Sequence, residues 1–334
     1  MDDLVSLSQI AAARDRLAGL VRVTPLLPAS EATGWLGHGG PLLLKCENLQ
    51  LGGAFKIRGA CNMAWRLPEA ERRSGLLTYS SGNHGLAIAR AARMLGVPAL
   101  VVMPTSAPPV KVEGARALGA EVVFEGTTTL ERKARAEAEA RRRGMTIVPP
   151  FDHEWIVEGQ GTVGLEILEQ CPDARRVYVQ MSGGGLISGV ATAVKRSRPD
   201  VEVVGVEPAG AARMAASLAA GRPTTIAARP GLADGLLAVR PGDVTFRHVQ
   251  AFVDRVVTVE DVAIAEAVRW LFEECRLVAE PSGAITVAAA AAARRLERPG
   301  ERGPEVAVIS GGNVDATLFA RLITGAWADE DGVV

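Results

Sequence analysis

Seven short runs rich in β-branched residues, at 76–80, 99–104, 121–126, 146–150, 176–181, 201–208 and 305–310, are separated by Ala-rich or amphipathic stretches. This alternation confines the chain to βα units around parallel sheet, since parallel strands need a crossover and the crossover is usually a helix. At 80–85, 182–185 and 310–313 a strand-like run passes through a glycine-containing turn into a helical pattern. No fixed-period repeat, low-complexity block or long linker cuts the 334 residues, so two interleaved domains are expected rather than two beads on a string.

Charge narrows the range of partners. Lys plus Arg number 37 against 38 Asp plus Glu, a net charge of −1. The basic footprint of a protein that lives on nucleic acid or anionic lipid is therefore absent, and neither partner is expected. The longest apolar run, 284–293, is about half the ~20 residues a bilayer span needs, and MDDLVS carries no basic leader, so a cytoplasmic location is expected. Cys46, Cys61, Cys171 and Cys275 are scattered, without C-x-x-C pairs, and read as buried thiols rather than disulfides or zinc ligands. Asp152, His153 and Glu154 are consecutive, and three adjacent side chains do not converge on a metal. The stretch 130–143 reads as a solvated helix laced with i,i+4 charge pairs.

Four stretches carry chemistry. Lys56 follows a glycine-containing turn and Phe55 and opens a helix. The positive end of the helix dipole and partial burial both lower an amine's pKa, as Schiff-base formation requires. Ser80, Ser81, Gly82, Asn83 and His84 link a strand to a helix, where backbone N–H groups suit an anion such as a carboxylate. Ser182, Gly183, Gly184 and Gly185 do the same and can wrap a phosphate, but Gly183, Gly185 and Gly189 also approximate a dinucleotide fingerprint, with Glu207 where a ribose-binding acid would stand. Ser310, Gly311, Gly312 and Asn313 end the last strand. A nicotinamide dinucleotide leaves Lys56 and two of these loops unemployed, whereas a compact cofactor with an aldehyde, a ring nitrogen and one phosphate employs all four.

Together with ADG at 233–235 and AEPSGA at 279–284, these motifs resemble the pyridoxal-phosphate-dependent serine/threonine dehydratase and serine racemase family, fold type II, over about residues 10–322. The resemblance implies an α/β fold of two interleaved three-layer αβα domains with mostly parallel sheets. It divides the chain into a large cofactor-binding domain (1–50 and 149–325), a small mobile domain (51–148) and a tail (326–334), and implies a homodimer. It assigns Lys56 as the lysine that bonds pyridoxal 5'-phosphate and moves the proton. Phe55, Asn83, Gly235, Glu280 and Ser310 are placed around the cofactor, Ser310 at the ring nitrogen. Residues Ser182, Gly183, Gly184, Gly185 and Leu186 form the phosphate cradle, and Ser80, Ser81, Gly82, Asn83 and His84 the substrate carboxylate site.

The implied reaction is β-elimination from a β-hydroxy-α-amino acid, giving a 2-oxo acid and ammonia. A racemase would use Ser81 as the base opposite Lys56, and a nicotinamide-dependent oxidoreductase is the distant alternative. Two departures from the family's usual pattern stand out: Gly52, Gly53 and Ala54 replace Thr-Gly-Ser, and Leu86 replaces Gln. Loss of polar groups near the substrate predicts that an aryl substrate such as 3-phenylserine stands beside threonine and serine. A third departure concerns a metal that relatives bind through two carboxylates six residues apart: Glu207 is the first, but Arg213 takes the second position. Mg²⁺ and Ca²⁺ sites are built from oxygens, so no metal is expected.

Overall fold

The computed structural model describes residues 4–29, 34–37, 40–80, 82–107, 109–296 and 303–327. It opens on α1 (Leu7–Leu17), where Ser6 and Gln9 satisfy each other's backbone donors in a capping box. Then follow β1 (Leu26–Pro28), β2 (Leu42–Cys46), α2 (Lys56–Arg66), α3 (Glu69–Arg73), β3 (Leu76–Tyr79), α4 (Asn83–Leu95), β4 (Ala99–Met103), α5 (Pro109–Ala117), β5 (Glu121–Phe124), α6 (Thr129–Arg143) and β6 (Thr146–Ile147). The second half comprises α7 (Glu154–Gln170), β7 (Arg176–Gln180), α8 (Gly185–Ser197), β8 (Glu202–Pro208), α9 (Arg213–Ala220), α10 (Asp243–Phe252), β9 (Arg255–Val259), α11 (Asp261–Cys275), α12 (Pro281–Arg295), β10 (Glu305–Ile309) and α13 (Ala316–Thr324).

The strands form two sheets, ordered β1-β2-β10-β7-β8-β9 and β5-β4-β3-β6, parallel throughout except for β1 against β2. Every residue of β7 and β10 is buried, as central parallel strands covered on both faces must be. One face of the larger sheet packs on α11 and α12, the other on α7, α8 and α10. The smaller sheet has α2 and α4 on one face and α6 on the other. Each sheet is thus the middle of an αβα sandwich, the α/β class with mostly parallel sheets that the alternation implied. Because β2 and β10 are neighbours, both ends of the chain build the larger sheet.

Two features fix the helices that carry the site. A Cβ on Gly189 of α8 would lie 2.4 Å from the Gly161 nitrogen and the Val157 carbonyl of α7, so the two helices meet backbone to backbone. Beneath α2, a buried quartet of charges sums to zero: Arg58 pairs with Glu47 at 2.7 Å and Glu166 at 2.6 Å, and Lys45 pairs with Glu166 at 2.6 Å. The Asp152–His153–Glu154 run has structural employment. Asp152 accepts from the backbone of Asp243 and Val244 at the start of α10, and His153 Nδ1 caps α7 through Trp155 N. Among the described residues, no three His, Cys, Asp or Glu side chains gather as a metal site, and no helix is long and apolar enough to cross a membrane.

Candidate active site

Residues at or just beyond the C-terminal ends of β3, β6, β7 and β10, together with the start of α2, enclose a cavity of about 290 Å³. Sites at the carboxyl ends of parallel strands are general in α/β folds, because the turns into the following helices converge there. Lys56 is the first residue of α2 and its side chain enters this cavity, with Nζ donating to the Pro150 carbonyl at 2.6 Å. The side chain keeps some surface toward the cavity, yet Nζ lies deep below the molecular surface, and that burial pulls its pKa down to about 8. Among the described residues no carboxylate partners it to oppose the shift.

His84, in the first turn of α4, is buried, and its Nε2 lies 3.0 Å from the Val148 carbonyl. That contact requires Nε2–H, leaving Nδ1 as an acceptor, and Nδ1 is buried without a partner. Burial, reinforced by the Lys56 charge, drives the His84 pKa down to about 3, so the ring is neutral. Gly82 precedes α4, whose leading N–H groups have no carbonyl within the helix to bond and therefore remain an anion site. Ser80 Oγ accepts from Gly82 N at 3.3 Å, which shapes this turn. Ser81 lies outside the described residues.

Asn83 bridges two walls: its Nδ2 donates to Glu280 Oε1 at 2.7 Å and its Oδ1 accepts from Asn313 Nδ2 at 2.9 Å. Burial, with the Asp234 charge adding to it, pushes the Glu280 carboxyl up to about 8. Gly311 makes room for this acid, since a Cβ there would stand 2.1 Å from Glu280 Oε1. Ser310 lines the cavity at the end of β10, and its carbonyl accepts from Phe55 N at 3.0 Å.

Residues 182–185 run from β7 into α8. Gly184 has φ +102°, a conformation that side chains resist, and a Cβ on Gly183 would strike the Phe151 ring at 2.4 Å. Thr245 Oγ1 donates to the Gly183 carbonyl at 2.6 Å, turning the peptide so that the loop's N–H groups remain for a ligand. A hydroxyl, backbone donors at the head of a thirteen-residue helix, and an amine of lowered pKa in one cavity form the donor set that an anionic aldehyde cofactor needs.

A profile of the pyridoxal-phosphate dependent enzyme family matches residues 17–311. The chain belongs to that family. It is 42% identical over 324 residues to L-threonine ammonia-lyase of Thermotoga maritima, covering 96% of this chain and 78% of the relative. It is 37% identical over 323 residues to L-threo-3-hydroxyaspartate ammonia-lyase of Pseudomonas sp., covering 96% and 99%. Maize serine racemase superposes with a TM-score of 0.89 at 36% identity, over 96% of this chain and 97% of that one. The family's cofactor fits the cavity described here: the glycine loop at the head of α8 offers backbone donors to an anion, and the Lys56 amine lines the same cavity.

The expected residues Phe55, Lys56, Ser80, Gly82, Asn83, His84, Ser182, Gly183, Gly184, Gly185, Leu186, Gly235, Glu280 and Ser310 all line this one cavity. The dinucleotide alternative loses both of its supports, because Gly189 is spent on the α7 contact and Glu207 accepts from Met214 N and Ala215 N at the start of α9. The premise behind the aryl substrate also changes. Gly52, Gly53, Ala54 and Leu86 are not cavity lining; Gly53 makes room for Asn313, at 2.3 Å from a Cβ, and Leu86 packs on Gly114 of α5. Sequence reasoning missed Asn313, Phe151, Lys111 and Arg132. Asn313 stood within a motif already singled out, and Phe151 directly follows a strand-ending Pro-Pro. Nothing in the charge pattern of α6 marked Arg132 as facing inward.

Proposed function

We propose that this enzyme is an ammonia-lyase that eliminates the β-hydroxyl of a threonine- or serine-type amino acid, giving a 2-oxo acid and ammonia. The observation that carries the reading is Lys56: a buried amine with its pKa drawn down to about 8, aimed by the Pro150 carbonyl into a cavity headed by two helix N-termini. Pyridoxal phosphate, when bound, supplies an aldehyde for amines and a conjugated ring that accepts electrons from Cα.

The protein groups divide the remaining work. At pH 7 about a tenth of Lys56 Nζ is neutral and free to take the Cα proton, and the fraction rises to about half at pH 8; its bond to Pro150 orients the amine. The head of α4, with Ser80, Ser81 and Gly82, holds the substrate carboxylate by backbone donors and dipole. Ser182 and the loop to Leu186 hold the phosphate. Gly235 and Glu280 wall the ring edge with Asn83. Ser310 offers the ring nitrogen a neutral hydroxyl, which unlike a carboxylate does not hold a proton there, and this favours departure of the β-hydroxyl over prolonged charge on Cα. Residues 51–148 act as the small domain that closes over the rest, and the Lys111–Asp234 ion pair, 2.8 Å across the mouth, latches the two.

The Arg132 guanidinium in the wall favours a second substrate class, β-hydroxy amino acids with an acidic β-substituent, over an aryl one such as 3-phenylserine. Release of oxo acid is to be measured across serine, threonine, 3-phenylserine and 3-hydroxyaspartate, alongside chiral analysis of recovered serine. Oxo-acid release from serine or threonine supports the reading. D-serine as the dominant product, with no ammonia, would replace it with racemisation.

A further inference from the structure

Arg213 and Glu207 are both fully buried, yet they do not form a close bidentate pair; the nearest approach is 3.5 Å, from Nε to Oε1. The guanidinium instead spends its donors on three main-chain carbonyls from three separate segments: Ala211 at 2.9 Å, Met181 at 3.1 Å and Leu236 at 2.7 Å. Glu207 in turn accepts from Met214 N and Ala215 N, both at 2.9 Å. One carboxylate and three carbonyls turned toward a common centre make an all-oxygen arrangement, the kind that holds a hard divalent cation. Here the centre is filled by a side chain that can never lose its charge.

Two of the three carbonyls adjoin the cavity. Met181 immediately precedes the loop at 182–185, and Leu236 itself lines the cavity one residue after Gly235. The guanidinium therefore ties the loop after β7 to the segment around Gly235 from behind. The divalent ion that the family resemblance implied does not fit this site. A second positive centre among these oxygens would meet the guanidinium's charge at contact distance inside a dry interior.

We propose that Arg213 is a built-in cation that replaces a divalent metal and positions the anion cradle at 182–185. The positioning half rests on the reading of that loop as the phosphate cradle. Arg213 touches no reacting atom and acts only through the Met181 and Leu236 carbonyls. Removing its charge leaves buried carbonyls and Glu207 without a counterpart, so the loop relaxes and its N–H groups lose their aim.

The test uses the holoenzyme and three variants. After dialysis against a strong chelator, the wild-type enzyme is expected to keep its activity, melting temperature and cofactor, with no change on adding Mg²⁺ or Ca²⁺. Several-fold activation or a raised melting temperature on adding either ion overturns the proposal. Arg213→Met is expected to weaken pyridoxal phosphate affinity about tenfold or more, read by absorbance titration of the apoprotein, with Arg213→Lys intermediate. Arg213→Asp restores an oxygen ligand, and Ca²⁺ at about 1 mM is expected to raise its melting temperature and recover affinity. If that variant does not fold, the Met and Lys pair still decides the matter, because wild-type affinity in Arg213→Met overturns the positioning role. Equal wild-type affinity for pyridoxal and pyridoxal phosphate would instead overturn the cradle reading itself.

Discussion

Lys56 Nζ is stripped of water and bonded to a carbonyl, and its chemistry follows from losing a proton early. Burial disfavours the ammonium, so the amine is free above about pH 8, where an exposed lysine would wait for a pH above 10. The rate at which the apoprotein takes up pyridoxal phosphate should therefore rise about tenfold per pH unit below 8 and level off above it. Stopped-flow absorbance from pH 6 to 10 checks this, and a plateau reached only beyond pH 10 would contradict the buried geometry. Lys56→Ala should fold, by circular dichroism and gel filtration, but lose all but a trace of turnover. Ser310→Asp tests the opposite wall: a carboxylate would hold a proton on the ring nitrogen through a charge-assisted bond, giving slower elimination and a longer-lived, red-shifted absorbing species. Both residues stand beside glycine-containing turns that the sequence marks, and the roles tested here are the ones the family resemblance implies for them. Arg132 was not legible, since a helix of Arg, Lys, Glu and Ala shows the same pattern whichever turn faces a cavity.

Helices α7 and α8 owe their contact to glycines, and here a sequence pattern misled for a physical reason. Gly189 fits a nucleotide fingerprint by spacing alone, but spacing cannot distinguish a glycine that admits a phosphate from one that admits another helix. The neighbour that decides the matter, Gly161, lies on the preceding helix, far away in the chain. Gly189→Ala should be costly, because its Cβ would meet backbone atoms at 2.4 Å and backbone cannot swing aside. Overpacking of this kind costs about 1–3 kcal/mol, to be read as a lowered urea midpoint with an unchanged slope. Strands β1, β2 and β9 were not singled out from sequence, but the other seven, β3 to β8 and β10, were legible in their order, since continuous apolar runs such as β7 and β10 are what two-sided burial demands. Strand neighbours were not: that β10 sits between β2 and β7 depends on contacts between opposite ends of the chain.

Across the whole molecule, the charge quartet of Lys45, Glu47, Arg58 and Glu166 joins the larger sheet, the start of α2 and α7. None of these residues was singled out from sequence, because a buried ion pair and a solvated one have the same composition. Arg58→Met should cost about 3–5 kcal/mol, the usual penalty for leaving a buried acid unpaired, here Glu47. Chemical unfolding of the holoenzyme measures it, and a loss below about 1 kcal/mol would mean that water reaches the quartet. The cavity wall itself is divided by covalent origin. The glycine loop, Gly235, Glu280 and Ser310 come from the segments that build the larger sheet; Lys56, Ser80, Asn83 and His84 come from α2, the end of β3 and α4 of the smaller one, and Lys111, Thr129 and Arg132 from α5 and α6 beside it. On the function proposed above, a lineage that drifts in residues 109–132 can change which molecule it accepts while passing on Lys56 and the glycine loop, and with them what is done to that molecule, untouched.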